Sequence, residues 1–219
     1  MASRIIEGLQ QAIFEHRLLP GTKLSEDEVG EVYGVSRTIV RSALQALAHS
    51  KLVTIEKNRG AFIARPSTNE AHEVFEARAL IEPRVAAMAA ECMSDESLEN
   101  LSSHIDAEHA AMAANDKGKA LALSGEFHLK IANIAAHDVF THFVQTLVKR
   151  SSLIIALYWQ RPDTTCESHS HHALMDAFKG KDVKAAEEVM RSHIVDLHSG
   201  LDLLAKEQAP LSLADALRS

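Results

Sequence analysis

His128, His171 and His193 lie in three separate stretches of a chain rich in histidine, with thirteen among 219 residues. Each falls on an apolar stripe of helical period. His128 belongs to Leu121, Ser124, His128, Ile131 and Ala135; His171 precedes Leu174 and Phe178; His193 shares a stripe with Val189, Met190, Ile194, Leu197 and Leu201. His172 is turned roughly 100° away from its neighbour. A single inward histidine is usually a hydrogen-bonded core residue. Three on different helices are harder to satisfy without a shared partner, and bundle cores build metal sites from such side chains. Neutral imidazole suits zinc, nickel and similar divalent ions. Arg78 and Arg150 also interrupt apolar stripes, Ala71-Val74-Ile81-Val85 and Phe143-Leu147-Ile154-Leu157 respectively. A buried arginine needs a strong acceptor. It can find one internally, as Arg78 would in Glu82 one turn on, or snorkel at a rim. The functional alternative is an anionic metabolite whose carboxylate bridges the metal and a guanidinium.

A second group faces different chemistry. In "GVSRTIVRSALQAL", Arg37 and Arg41 share one helix face while Val40, Leu44 and Leu47 form the opposite one. At the start of a helix that enters the major groove, such arginines can each engage two acceptors of a guanine. Ser36 and Thr38 suit phosphates or bases. Lys57, Arg59 and Gly60 then form a basic hairpin tip able to approach the flanking backbone or minor groove, Gly60 allowing the close approach. Taken alone, the arginine pair would read as solvated helix charges. The glycine turn, serine cap and basic tip in this order favour a nucleic-acid surface.

The elements that must position these groups follow from pattern. Residues 4–18 predict an amphipathic helix, broken by "LLPGTKL". Ser25 caps a short acidic-started helix, "YGVS" makes a turn, and a helix from Ser36 runs to about Ser50. "LVTIEKNRGAFIA" alternates as two strands about Asn58-Arg59-Gly60. This is the order of a winged helix-turn-helix. After the linker "RPSTNE", helices are expected over roughly 69–92, 95–115, 117–137, 138–160, 167–179 and 182–206. The expected fold is therefore mainly α: a winged helix-turn-helix with a small β-hairpin wing over residues 1–66, and an antiparallel six-helix bundle over 67–219. Charge divides the same way. Through Pro66 there are nine Lys and Arg against seven Asp and Glu; the rest has 14 against 23. A weakly basic module joined to an acidic body fits a polyanion partner for the first part. No apolar run is long enough for a bilayer, no secretory leader pattern opens the chain, and Cys92 with Cys166 suggests no disulfide framework, so a cytoplasmic protein is expected.

"LLPGTKLSEDEVGEVYGVSRTIVRSALQAL" followed by "NRGAFIARPS" resembles the DNA-binding domain of GntR-type transcription regulators. "EARALIEPRVAAMAA", "SGEFHLKIA", "RSSLIIALY" and "HHALMDAFKGKDVKAAEEVMRSHI" resemble the FCD effector domain of the FadR-like subfamily, and the two halves stand in the family's order. The resemblance implies a ligand-responsive regulator, more often a repressor, that binds an inverted-repeat operator in double-stranded DNA as a homodimer. It points to His128, His171 and His193 as ligands of a divalent metal, zinc or nickel, and to a small organic acid as effector. Departures are visible. Metal-binding members usually carry Asp where this chain has Ser124, which would leave three histidines and water in the shell, and Glu126 is expected on the opposite helix face. Ile39 and Ser42 stand where the family commonly has Pro and Glu, a basic residue is common near Asp27, and His137 replaces a frequent Asn.

Two rival functions follow from the same residues. A three-histidine metal with an open position could activate water for hydrolysis, although no inward Glu or Asp is expected beside the ligands as general base. Alternatively the bundle only dimerises a DNA-binding protein, with no small-molecule response.

Overall fold

Apolar residues at helical spacing build α1 (Ala2–Phe14), whose Ile5, Leu9 and Ile13 are buried. The computed structural model describes the backbone of residues 1–159 and 165–203, and the side chains of these except 165–168. α1 ends at Phe14, four residues sooner than the pattern predicts, because His16 turns the chain with a left-handed φ of 53°. α2 (Glu26–Tyr33) starts where the Ser25 hydroxyl accepts from the Glu28 amide, with Glu26, Asp27 and Glu28 in its first turn. Gly34 closes it at φ 66°, a conformation that suits glycine. α3 (Arg37–His49) follows from Ser36, which holds the N-cap position but makes no side-chain capping bond.

The wing is a three-stranded antiparallel sheet, not a bare hairpin. β2 (Val53–Glu56) and β3 (Gly60–Ile63) pair as expected about the turn. β1 (Lys23–Leu24) adds to the other edge of β3, pairing Lys23 with Phe62 and Leu24 with Ala61. Two residues are too short for an alternation pattern to reveal.

Six helices follow among the described residues: α4 (Thr68–Cys92), α5 (Asp95–Ala113), α6 (Lys117–Ile134), α7 (Asp138–Tyr158), α8 (Thr165–Lys179) and α9 (Val183–Ser199). Side chains of Ser67, Ser94, Asp116, His137 and Asp182 each accept an amide in the first turn of the helix they precede. His137 is thus a helix cap. α9 stops at Ser199, before the expected 206, with Gly200 at its end; residues 204–206 lie outside the described residues, as does the side chain of Cys166. α4 is central, packing against α9, α7 and α6. Pro83 sits inside it and cannot donate to the carbonyl of Ala79, which accepts instead from Arg191 Nη1 of α9 at 3.4 Å.

Two buried clusters organise the chain. One fills the bundle, with Phe75, Phe127 and Phe178 wholly enclosed. The other fills the first sixty-odd residues but also takes in Leu153 of α7. No helix among the described residues is long and apolar enough to cross a membrane.

Candidate functional site

The reading surface comes first in the chain. Burial of Val40, Ala43, Leu44 and Leu47 against α1 and β2 turns the other face of α3 outward. Ser36, Arg37, Thr38 and Arg41 are all exposed on it, and so are Lys57, Arg59 and Gly60 at the wing tip. Both arginines are held by carboxylates from the first turn of α2, which sequence reasoning did not anticipate. Arg37 Nε and Nη2 grip Asp27, the latter at 2.8 Å; Arg41 Nε and Nη2 grip Glu26 at 3.0 and 2.8 Å. The hydrogen bond from Arg41 holds the Glu26 carboxyl below its ordinary range. Arg59 pairs with Glu56 and lies over the Phe62 ring at 5.3 Å.

The three histidines do meet. His128 from α6, His171 from α8 and His193 from α9 are buried, with one ring nitrogen of each lying within 4.8 Å of the others. His193 Nε2 is 3.3 Å from His128 Nε2, their rings stacked with centroids 5.2 Å apart. Two glutamates stand behind the rings. Glu82 of α4 takes His128 Nδ1 at 2.6 Å, and Glu108 of α5 takes His171 Nδ1 at 3.0 Å. A carboxylate on Nδ1 fixes the proton there and leaves the Nε2 lone pair facing inward. His171 Nε2 is buried and has no hydrogen-bond partner.

Charge state agrees with this tautomer. Burial lowers His193 far below the ordinary imidazole value, helped by the neighbouring histidines and Arg78. Burial also lowers His128, although Glu82 pulls the other way. His193 and His128 are therefore neutral near pH 7 and keep lone pairs to give. An orphaned buried nitrogen, a 3.3 Å contact between two Nε2 atoms and paired outer carboxylates fit a divalent transition metal.

Both glutamates are inward, Glu82 1% exposed and Glu108 wholly buried, which sequence reasoning did not place beside the histidines. Each lies on the outer side of its ring, so neither is placed to take a proton from water on the Nε2 side, in line with the expectation that no general base stands beside the ligands. Glu108 had a signal in the stripe Leu101, His104, Ile105, Glu108, Ala111. Glu82 was visible only as a partner of Arg78.

Arg78 is buried and largely committed. Its Nε and Nη2 reach Glu82 at 2.5 and 3.3 Å, and Nη1 donates to Ser151 Oγ at 3.0 Å. It nevertheless lines a cavity beside His128, together with Ser124, Ser151 and, from the first part of the chain, Phe14 and His16. Glu126 also lines this cavity although it stands about 200° around α6 from both Ser124 and His128, and it is not in the metal-ligating cluster. Arg150 is not brought there. It is half-buried and pairs with Glu70 at 2.7 Å, joining α7 to the start of α4. Its interruption of an apolar stripe reflects that helix-to-helix ion pair.

Known proteins share both parts. The FCD domain matches residues 73–196, and bacterial regulatory proteins of the gntR family match residues 1–63. The Uxu operon regulator of Haemophilus influenzae is 27% identical over 95% of this chain and 84% of its own length. The HTH-type transcriptional repressor NanR of Cronobacter sakazakii is 26% identical over 95% of this chain and 88% of its own. A GntR transcriptional regulator from Rhodococcus sp. RHA1, 22% identical in sequence, superimposes with a TM-score of 0.78 over 90% of this chain and 95% of its own, and so shares the fold.

Proposed function

The chain belongs to the gntR family of bacterial regulatory proteins with an FCD domain, a DNA-binding transcription regulator, and on that premise we propose that it is a metal-dependent sensor of a small organic acid. Residues 1–66 act as the DNA-binding head and 67–219 as the sensing and dimerising body. His128, His171 and His193 hold a divalent ion, zinc or nickel, through their Nε2 atoms. When bound, that ion supplies a Lewis-acidic position for one carboxylate oxygen. Arg78 favours the anion from the side, with Ser151 and Ser124 as neutral polar contacts. Two copies present Arg37 and Arg41 to an inverted-repeat operator, with Ser36, Thr38, Lys57, Arg59 and Gly60 on flanking phosphate and base edges. Binding of the acid shifts the bundle between states that set the spacing of the two heads, relieving repression.

The observation that carries this reading is the convergence of three buried imidazoles on one point, with Nδ1 of His128 and of His171 already anchored on a carboxylate. Zinc titration by calorimetry tests the metal, with a thermal-shift screen of organic acids on zinc-loaded and chelated protein testing the acid. Stoichiometric zinc uptake lost in His171→Ala and His193→Ala, and acid stabilisation lost with chelation, are expected. Uptake that survives both substitutions would refute the site. For the head, duplex enriched from a randomised pool by the wild type should bind Arg37→Ala and Arg41→Ala about 1–3 kcal/mol more weakly. Unchanged binding would remove α3 from base recognition.

A further inference from the structure

The cavity beside His128 is closed on one side by the head. Phe14 and His16, at the end of α1, line it with Arg78, Ser124 and Ser151 of the bundle. This end of α1 is seated tightly. At Gly118 of α6, an added Cβ would lie 2.1 Å from the carbonyl oxygen of Glu15, so only glycine permits the contact. The His16 imidazole hydrogen-bonds the main chain of Ser152 on α7, and burial there pushes its pKa down to about 4. Next to it, Leu153 is fully buried within the head's own apolar cluster.

Volume decides what this arrangement allows. The cavity offers ≈ 40 Å³ to the centres of water-sized spheres. A water needs about 10–15 Å³ on that measure, so there is room for about three. An acid of four or more carbons has at least twice that number of heavy atoms. To enclose such an acid, one wall must yield. The bundle walls are helices whose neighbouring residues, among them Phe127, Ile131 and Ile154, are almost completely enclosed, and moving them would open the main core. The head wall is carried by a separate apolar cluster and joined through Arg65, Pro66 and Ser67.

We propose that Phe14, Glu15 and His16 form the movable wall of the effector cavity, so that an organic acid of four or more carbons contacts the head and displaces it from α6 and α7. Ligand and docked head then compete for one space. The effector is read by the DNA-binding part directly, and the segment 14–16 helps select ligand size. This rests on the reading of the cavity as the effector site.

A side chain grown into the cavity serves as a surrogate occupant, with no ligand needed. Ala122→Phe, from a lining residue outside the histidine cluster, is compared with wild type by amide hydrogen exchange at pH 7. The amides of Arg17 and Leu18, which bond the Ala12 carbonyl at the end of α1, are the reporters. Exchange at residues 15–18 at least tenfold faster is expected, while amides of α6 and α9 keep wild-type protection. Ser124→Leu, a smaller addition, should give the same pattern at lower amplitude. Wild-type exchange at 15–18 in folded variants overturns the proposal. So does faster exchange in α6 first, or failure of both variants to fold, since either shows the bundle yielding before the head. Zinc calorimetry on the wild type separates the two ideas. Head release without zinc uptake refutes the metal reading alone, and zinc uptake without head release refutes the movable wall alone.

Discussion

Replacing Glu82 by Gln should be among the most damaging single changes to the bundle. The side chain is 1% exposed and supports two buried groups at once: the Arg78 guanidinium at 2.5 Å and His128 Nδ1 at 2.6 Å. Burial alone would raise its pKa, but the Arg78 charge, then His128, outweigh it and hold the carboxyl down at about 2 against an ordinary 4.5. A depression of that size corresponds to about 3 kcal/mol, at about 1.4 kcal/mol per unit. The folded value lies below the unfolded one, so this stability is present above about pH 4.5 and lost as pH falls toward 2. Gln keeps the shape and removes the charge, leaving Arg78 buried without a counter-ion, a change that typically costs about 3–5 kcal/mol. Urea unfolding of chelator-treated protein, followed by Trp159, should therefore show Glu82→Gln about 3 kcal/mol less stable at pH 7. The gap should narrow at pH 3. The double change Arg78→Met with Glu82→Met should recover most of the loss, because it removes both charges together. A deficit under about 1 kcal/mol at pH 7, or one independent of pH, would refute the assignment of this buried pair.

The α2 carboxylates should restrain the reading arginines. Asp27→Asn with Glu26→Gln is expected to tighten binding to a random-sequence duplex and steepen its salt dependence by about one unit per freed charge, read by fluorescence anisotropy at several salt concentrations. Glu108→Gln should keep the fold yet weaken zinc binding by about 10–100-fold in calorimetry, because it loosens the tautomer and aim of His171. Gly118→Val should unseat α1 from α6, seen as faster proteolytic cleavage near Pro66 with the helical content of the bundle retained.

Much of this arrangement was legible in the chain. The α3 stripe Val40, Leu44, Leu47 placed Arg37 and Arg41 outward, and the wing turn about Asn58-Arg59-Gly60 was readable from its residues. The three histidines could be aimed inward because a helix of known period fixes which residues share a face. Arg150 shows the limit of that reasoning. Its stripe marked it as inward, but whether it met a cavity or Glu70 depended on which helix lay opposite.

Periodicity, turn chemistry and caps are local, and so the sequence by itself determined the helices, the wing hairpin and the inward pointing of His128, His171 and His193. Only the tertiary structure decided what those side chains meet. Glu82 and Glu108 come from α4 and α5, 46 and 63 positions before the histidines they orient, and Asp27 reaches Arg37 across ten. Such pairings depend on how helices cross and at what depth, which no single helix encodes. The same holds for the cavity wall lent by Phe14 and His16, since a space enclosed by distant segments exists only once they are packed.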